Sequence, residues 1–202
     1  MRLRRKLHRL NASTAGFLAV MGSDLSRNFF ELFDLPVGFR LDSRDLAQRY
    51  RVLQRMTHPD RYASAGDQER RMAVQKAAQV NEAYQVLRHP LSRARYLLEL
   101  QGVEFDGERD TAVDAEFLMQ QMELREALAE IAAATEPMQE YNAFVARLDA
   151  ISSELEAHVA ELLERDDAQA RDEAKALVLK MQFMDKLHRE AQELEETLLD
   201  AP

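Results

Sequence analysis

After Gly107 the chain has no further glycine, and Pro137 is its single proline before the terminal Pro202. A polypeptide stripped of the residues that turn and break it has little choice but to form long helices. The apolar residues of this stretch recur at helical spacing. Asp114 to Thr135 reads as a first helix with Asp114 as its cap. Pro137 suits the first turn of a second, reaching about Arg165, and a third runs from about Asp167 to Leu199. Three consecutive helices with short connections predict an antiparallel three-helix bundle.

The front half breaks more often but at the same period. Asn28 to Leu35 (NFFELFDL) is strongly apolar and stops at Pro36, which predicts two helical turns ending before the proline. Residues 41–57 read as a helix capped by Ser43, with Leu46, Tyr50 and Leu53 on one face. Residues 58–66, with Pro59 and Gly66, form a loop. Asp67 to Arg88 is a long helix with Ala73, Ala77, Val80, Tyr84 and Leu87 on one face. Pro90 starts another, closed by Gly102. The expected class is all-α: residues 23–101 as one helical unit, 102–113 as a polar linker, and 114–202 as the bundle. No run is long and apolar enough for a membrane span. The chain has no cysteine, which excludes disulfides and thiolate metal sites.

Charge divides along similar lines. Residues 1–20 hold five basic residues and no acid, residues 21–101 carry +3, and residues 102–202 carry -17. So acidic a half repels nucleic acid and anionic lipid, and neither is expected as a partner. The basic start has too short an apolar stretch for a signal peptide. Residues 1–22 are expected to be a disordered leader, and deletion of residues 1–20 is expected to leave folding and activity unchanged.

The most informative motif is His58-Pro59-Asp60, set between two antiparallel helices. With Leu46 at the centre of the core stripe, Arg44, Arg51 and Arg55 fall about 140–180° away on the helical wheel. That is a basic stripe free of acid beside a short loop, suited to an acidic partner surface. Phe29, Phe30, Leu32, Phe33 and Leu35, then Tyr50, Arg51 and Leu53, then the His-Pro-Asp triplet, then Asn81, Glu82, Ala83, Tyr84 and Leu87 together resemble a J-domain. That resemblance implies a module that stimulates the ATPase of a DnaK-type chaperone, with His58, Pro59, Asp60, Arg44, Arg51, Arg55 and Arg61 as its docking residues. Arg61 stands where lysine is more usual and keeps the charge.

The second half narrows the resemblance. RHPLSRARYLLEL (88–100), FLMQQMELREAL (117–128) and KMQFMDKLHREAQELEETLLD (180–200) are similar to the HscB family of J-protein co-chaperones, and the likeness covers about residues 27–200. It implies an L-shaped arrangement of J-domain and bundle. It further implies a specialised DnaK-type chaperone (HscA) and the iron–sulfur scaffold protein (IscU) as partners, no cofactor, and the cytoplasm as location. Some eukaryotic relatives carry a cysteine-rich metal site; this cysteine-free chain resembles the bacterial form.

Periodicity supports a binding surface independently. With Phe117 at the centre of its helix's core stripe, Leu124, Leu128 and Ile131 fall within about 40°. Leu118, Met119 and Met122 lie about 100–200° away, next to Glu123 and Glu126. A second apolar face rimmed by acid on so small a bundle suits a partner. Phe183 lies on the flank of the third helix's stripe (Leu177, Met184, Leu187, Ala191, Leu194, Leu198), where it either completes the patch or covers the bundle edge. The resemblance carries the family's scaffold-binding patch onto Leu118, Met119, Met122, Glu123, Glu126 and Phe183, with Met122 in place of a more usual leucine.

Two other function classes fit less well. An enzyme lacks support: the five histidines show no metal-ligand spacing, and neither a phosphate loop nor a nucleophile signature is present. A general J-protein that delivers unfolded polypeptides would be expected to carry a Gly/Phe-rich linker or cysteine-rich zinc modules, and this chain has neither.

Overall fold

The structure is a computed structural model that describes residues 28–62, 65–106, 115–165 and 167–200. The expected leader (1–22), most of the linker after Asp106, and the Asp114 cap lie outside the described residues. The described residues are helical with no strands, as the lack of breakers requires. The helices are α1 (Phe29–Leu32), α2 (Ser43–Thr57), α3 (Asp67–Arg88), α4 (Pro90–Leu100), α5 (Ala115–Glu130), α6 (Pro137–Leu163) and α7 (Ala168–Asp200). Short 3₁₀ turns occupy Pro59–Tyr62 and Ile131–Ala133.

Three local expectations need correction. First, α1 is one turn rather than two. Asp34 takes the left-handed conformation (φ 53°), and the Leu35 N–H donates back to the Phe30 carbonyl at 2.9 Å, closing the helix early. Aspartate is among the few side chains that tolerate this conformation. Second, the cap of α2 is Asp42, not Ser43: its Oδ1 accepts the N–H of Arg44 at 2.8 Å and of Asp45 at 3.3 Å. Third, α5 ends at Glu130 and tightens into the 3₁₀ turn instead of continuing to Thr135. The close of α4 is as expected. Gly102, at φ 82°, lets the Val103 N–H reach the Leu98 carbonyl at 2.9 Å.

Helices α2 and α3 form a hairpin, and α1 and α4 pack on α3. Helices α6 and α7 form a second, longer hairpin, with α5 against it. The apolar cores do not divide where the charge does. One core joins Phe30, Leu46, Leu53, Val80, Leu87 and Leu98 of the front half to Val159, Leu162, Ala170, Ala174 and Val178, at the loop end of the α6/α7 hairpin. A second core gathers Leu124, Ile131, Phe144, Leu148, Met184, Leu187 and Ala191 towards its far end. The front unit therefore sits on one end of the hairpin and α5 on the other. Alanines at 170 and 174, one turn apart and both fully buried, let α4 approach α7 closely.

Candidate functional site

The His58-Pro59-Asp60 turn is made by the way α2 ends. His58 leaves helical geometry (φ -61°, ψ 128°), and the backbone closes into the 3₁₀ turn through the Arg61 N–H donating to the His58 carbonyl at 3.1 Å. The last carbonyls of a helix lack intrahelical partners. Here the turn's own side chains supply them: Tyr62 Oη donates to the Met56 carbonyl at 3.3 Å, and an Arg61 guanidinium nitrogen lies 3.5 Å from the Arg55 carbonyl. Buried Thr57 donates to the Leu53 carbonyl at 3.0 Å. The triplet is thus strapped to the helix it follows.

His58 and Asp60 both face out of it. The Asp60 backbone N–H lies 3.3 Å from His58 Nδ1. The Asp60 carboxylate stands 3.5 Å from the same nitrogen and is 89% exposed. Arg44, Arg51, Arg55 and Arg61 are all exposed, and among the described residues none has a carboxylate partner. Arg49, on the same helix, is employed differently. It donates to the Phe33 and Asp34 carbonyls at 2.9 and 2.7 Å and pairs with Asp45 at 3.0 Å, fastening α1 to α2. The wheel separates the two kinds, since Arg49 falls beside the core stripe and the others opposite it.

The ring pair behind this face is tight. Tyr50 stacks on Tyr84 with centroids 4.0 Å apart, and Tyr50 Oη donates to Asn81 Oδ1 at 3.0 Å. Tyr50 and Asn81 therefore fasten α2 to α3 directly behind Arg51.

The second candidate surface lies on α5. Phe117, Leu124 and Ile131 are buried, as the stripe predicts. Leu118, Met119 and Met122 are 52%, 63% and 65% exposed, with Glu123 and Glu126 exposed beside them. Phe183 packs on α5. Half-buried, it meets Phe117 edge-to-face at 5.7 Å and so belongs to the bundle edge. It also reaches the patch's flank through Arg125, whose guanidinium lies 5.5 Å over its ring. Arg125 sits three residues after Met122 and seven after Leu118, on their side of the helix. It also pairs with Glu190 at 3.8 Å. Helical spacing alone could have placed Arg125 at the patch; its contact with Phe183 could come only from the packing of α5 on α7.

Among the described residues there is no group of three acidic or histidine side chains able to hold a metal ion, and no helix long and apolar enough to cross a membrane.

A helical hairpin with an exposed His-Pro-Asp turn and an unpaired arginine face is the architecture of a J-domain, and residues 28–96 match the DnaJ domain family. Residues 113–192 match the family described as the HSCB C-terminal oligomerisation domain. The chain belongs to the HscB family of J-domain co-chaperones. It is 45% identical to the co-chaperone HscB homologue of Photobacterium profundum, over 86% of this chain and 99% of the relative. It is 42% identical to that of Shewanella loihica, over 85% and 99%. The chaperone HscB of Vibrio cholerae superposes with a TM-score of 0.77 at 40% identity, over 85% of this chain and 99% of that one. Human co-chaperone HscB also gives 0.77, at 31% identity over 85% and 84%.

Proposed function

We propose that this co-chaperone binds an iron–sulfur cluster scaffold protein on α5, delivers it to a specialised DnaK-type chaperone, and stimulates that chaperone's ATPase through the His-Pro-Asp turn. In this reading residues 23–101 are the J-domain, 102–113 the linker and 114–202 the scaffold-binding unit. The partners are an HscA-type chaperone and an IscU-type scaffold, and the setting is the cytoplasm. The observation that carries it is the coexistence of two exposed, chemically different surfaces, one at the end of α2 and one on α5.

Each surface suits its assigned partner. Arg44, Arg51, Arg55 and Arg61 spend no charge on internal pairs, so an acidic chaperone surface meets them unneutralised and is steered onto the turn. Leu118, Met119 and Met122 present flexible apolar side chains that can re-pack against a partner, while Glu123 and Glu126 supply a polar rim. Asp60, exposed on its strapped turn, is in this reading the side chain that engages the chaperone.

The test is the steady-state ATPase rate of the paired chaperone with this protein, with and without the scaffold. The expected result is stimulation by the protein alone and further stimulation when the scaffold is added. Equal stimulation with a denatured model polypeptide in place of the scaffold would instead favour a general J-protein.

A further inference from the structure

Residues 115–130 of α5 hold four glutamates and a single cation, Arg125. With Phe117 at the centre of the core stripe, Arg125 falls at about 80° on the helical wheel, and Leu118, Met122, Glu126 and Glu123 follow at about 100°, 140°, 180° and 240°. Arg125 makes its contacts with Phe183 and Glu190, both on α7. The exposed face of α5 is therefore ordered across its width. Base lies on the α7 side, apolar side chains in the middle and acid on the far side.

Arg125 is exposed, yet held in place. Its guanidinium lies 5.5 Å over the Phe183 ring, which is itself set edge-to-face on Phe117 at 5.7 Å. A ring contact of this kind uses the charge of the cation and none of its N–H donors. Its ion-pair partner Glu190 stands 3.8 Å away, too far for a hydrogen bond. Lys186, exposed and one turn along α7, lies at the same 3.8 Å from the other oxygen of that carboxylate. Arg125 makes no hydrogen bond among the described residues. Two cations against one acid leave this flank at +1, within a half of the chain that carries -17.

We propose that Arg125, with Lys186 beside it, is a carboxylate-binding flank of the α5 patch: it takes an aspartate or glutamate side chain of the scaffold protein and so fixes the orientation in which the scaffold docks. The proposal rests on the two-surface reading above. Paired N–H donors of a guanidinium match the two oxygens of a carboxylate, and a guanidinium already laid on a ring has less freedom to lose on binding. A surface with base on one side and acid on the other admits a partner without like-charge contacts in one orientation only. An unfolded polypeptide has no fixed order of charges across that width and gains nothing from it. A folded scaffold does.

The test is calorimetric titration of the full chain against an IscU-type scaffold, with circular dichroism as the control for folding. Affinity is expected to fall in the order parent, Arg125→Lys, Arg125→Met, Arg125→Glu, with Arg125→Met about tenfold weaker than the parent. A double-mutant cycle separates the flank from the ring beneath it. Arg125→Met should weaken binding further in a Phe183→Ala background; no further loss there means that Arg125 merely holds Phe183, and overturns the proposal. On the scaffold, aspartates and glutamates are neutralised one at a time. One such variant should bind the parent more weakly, yet bind Arg125→Met as well as the unaltered scaffold does. If no variant behaves so, no carboxylate meets Arg125 and the proposal falls. A scaffold that binds the parent and Arg125→Met equally overturns the flank alone and leaves the two-surface reading intact. A scaffold that does not bind the parent overturns both.

Discussion

Around the His-Pro-Asp turn, Arg55, Met56, Tyr62 and Arg61 satisfy one another within eight residues of chain. On the bundle, Arg125 and Phe183 meet only because α5 packs on α7, through Phe117 meeting Phe183 at 5.7 Å. The first surface is polar and held by local hydrogen bonds; the second is apolar and held by tertiary packing. A locally held surface survives damage elsewhere, whereas a packed one fails with its core. The two should therefore separate cleanly under mutation.

The largest separation is expected from Asp60→Asn. The side chain is exposed and outside every apolar stripe, so the circular dichroism spectrum and melting temperature should match the parent while chaperone ATPase stimulation is lost. Normal stimulation by this variant would remove the J-domain role from the turn.

Next comes the contrast within α5. Leu124→Ala removes a fully buried core side chain and should cost about 2–5 kcal/mol of stability, read as a melting shift. Leu118→Ala, half-exposed, should melt almost like the parent yet lose about 1–3 kcal/mol of scaffold binding by calorimetric titration. If Leu118→Ala melts as badly as Leu124→Ala and binds normally, the second apolar face is core and the site assignment falls.

Phe183→Ala sharpens the comparison because the residue belongs to both categories. Its ring contact with Phe117 is worth about 0.5–1.5 kcal/mol beyond the area it buries, so stability and binding should fall together. Loss of binding without any melting shift would make Phe183 a pure surface anchor.

The rim should matter least for affinity. Glu123→Ala and Glu126→Ala are expected to cost less than about 1 kcal/mol and to act mainly on the association rate, an effect that added salt erases. Stopped-flow association at two salt concentrations reads this directly.

A smaller effect still touches neither surface. Asp167 caps α7, its Oδ1 accepting the Ala170 N–H at 2.8 Å, and that bond, with Arg165 nearby, holds its carboxyl below the usual range. A carboxyl lowered on folding adds stability above its unfolded value and loses it as pH falls through the folded one, so the slope lies below about pH 4. Asp167→Asn keeps a capping oxygen and should remove that slope from acid melting curves while leaving both surfaces intact.

Much of this was legible from residue order. The bounds of α3, the proline starts of α4 and α6, and the exposed side of α5 follow from a period of 3.6 and a few breakers. The errors were local competitions between good candidates. Asp42 and Ser43 can both cap a helix, and the aspartate carboxylate takes two N–H groups at once. NFFELFDL has the pattern for two turns, but the left-handed Asp34 ends the helix early, and Arg49 donates to the carbonyls of that turn. The candidate site was legible to the extent that its members share a helix face. Phe183 was ambiguous because its distance from α5 is not a sequence quantity.

Sequence alone determined the all-helical class, the core stripes, the place of the motif turn, the arginine stripe and the second apolar face of α5, because each is a consequence of helix geometry acting within one element. The tertiary structure alone decided that one core runs from α1 into the loop end of the α6/α7 hairpin, that Arg93 is buried on the Leu87 carbonyl, and that Arg125 covers Phe183. Those are relations between helices. They depend on how close two packed faces come, which here follows from alanines at 170 and 174 and from interlocking rings at 117 and 183, and no periodicity within a single helix encodes such a distance.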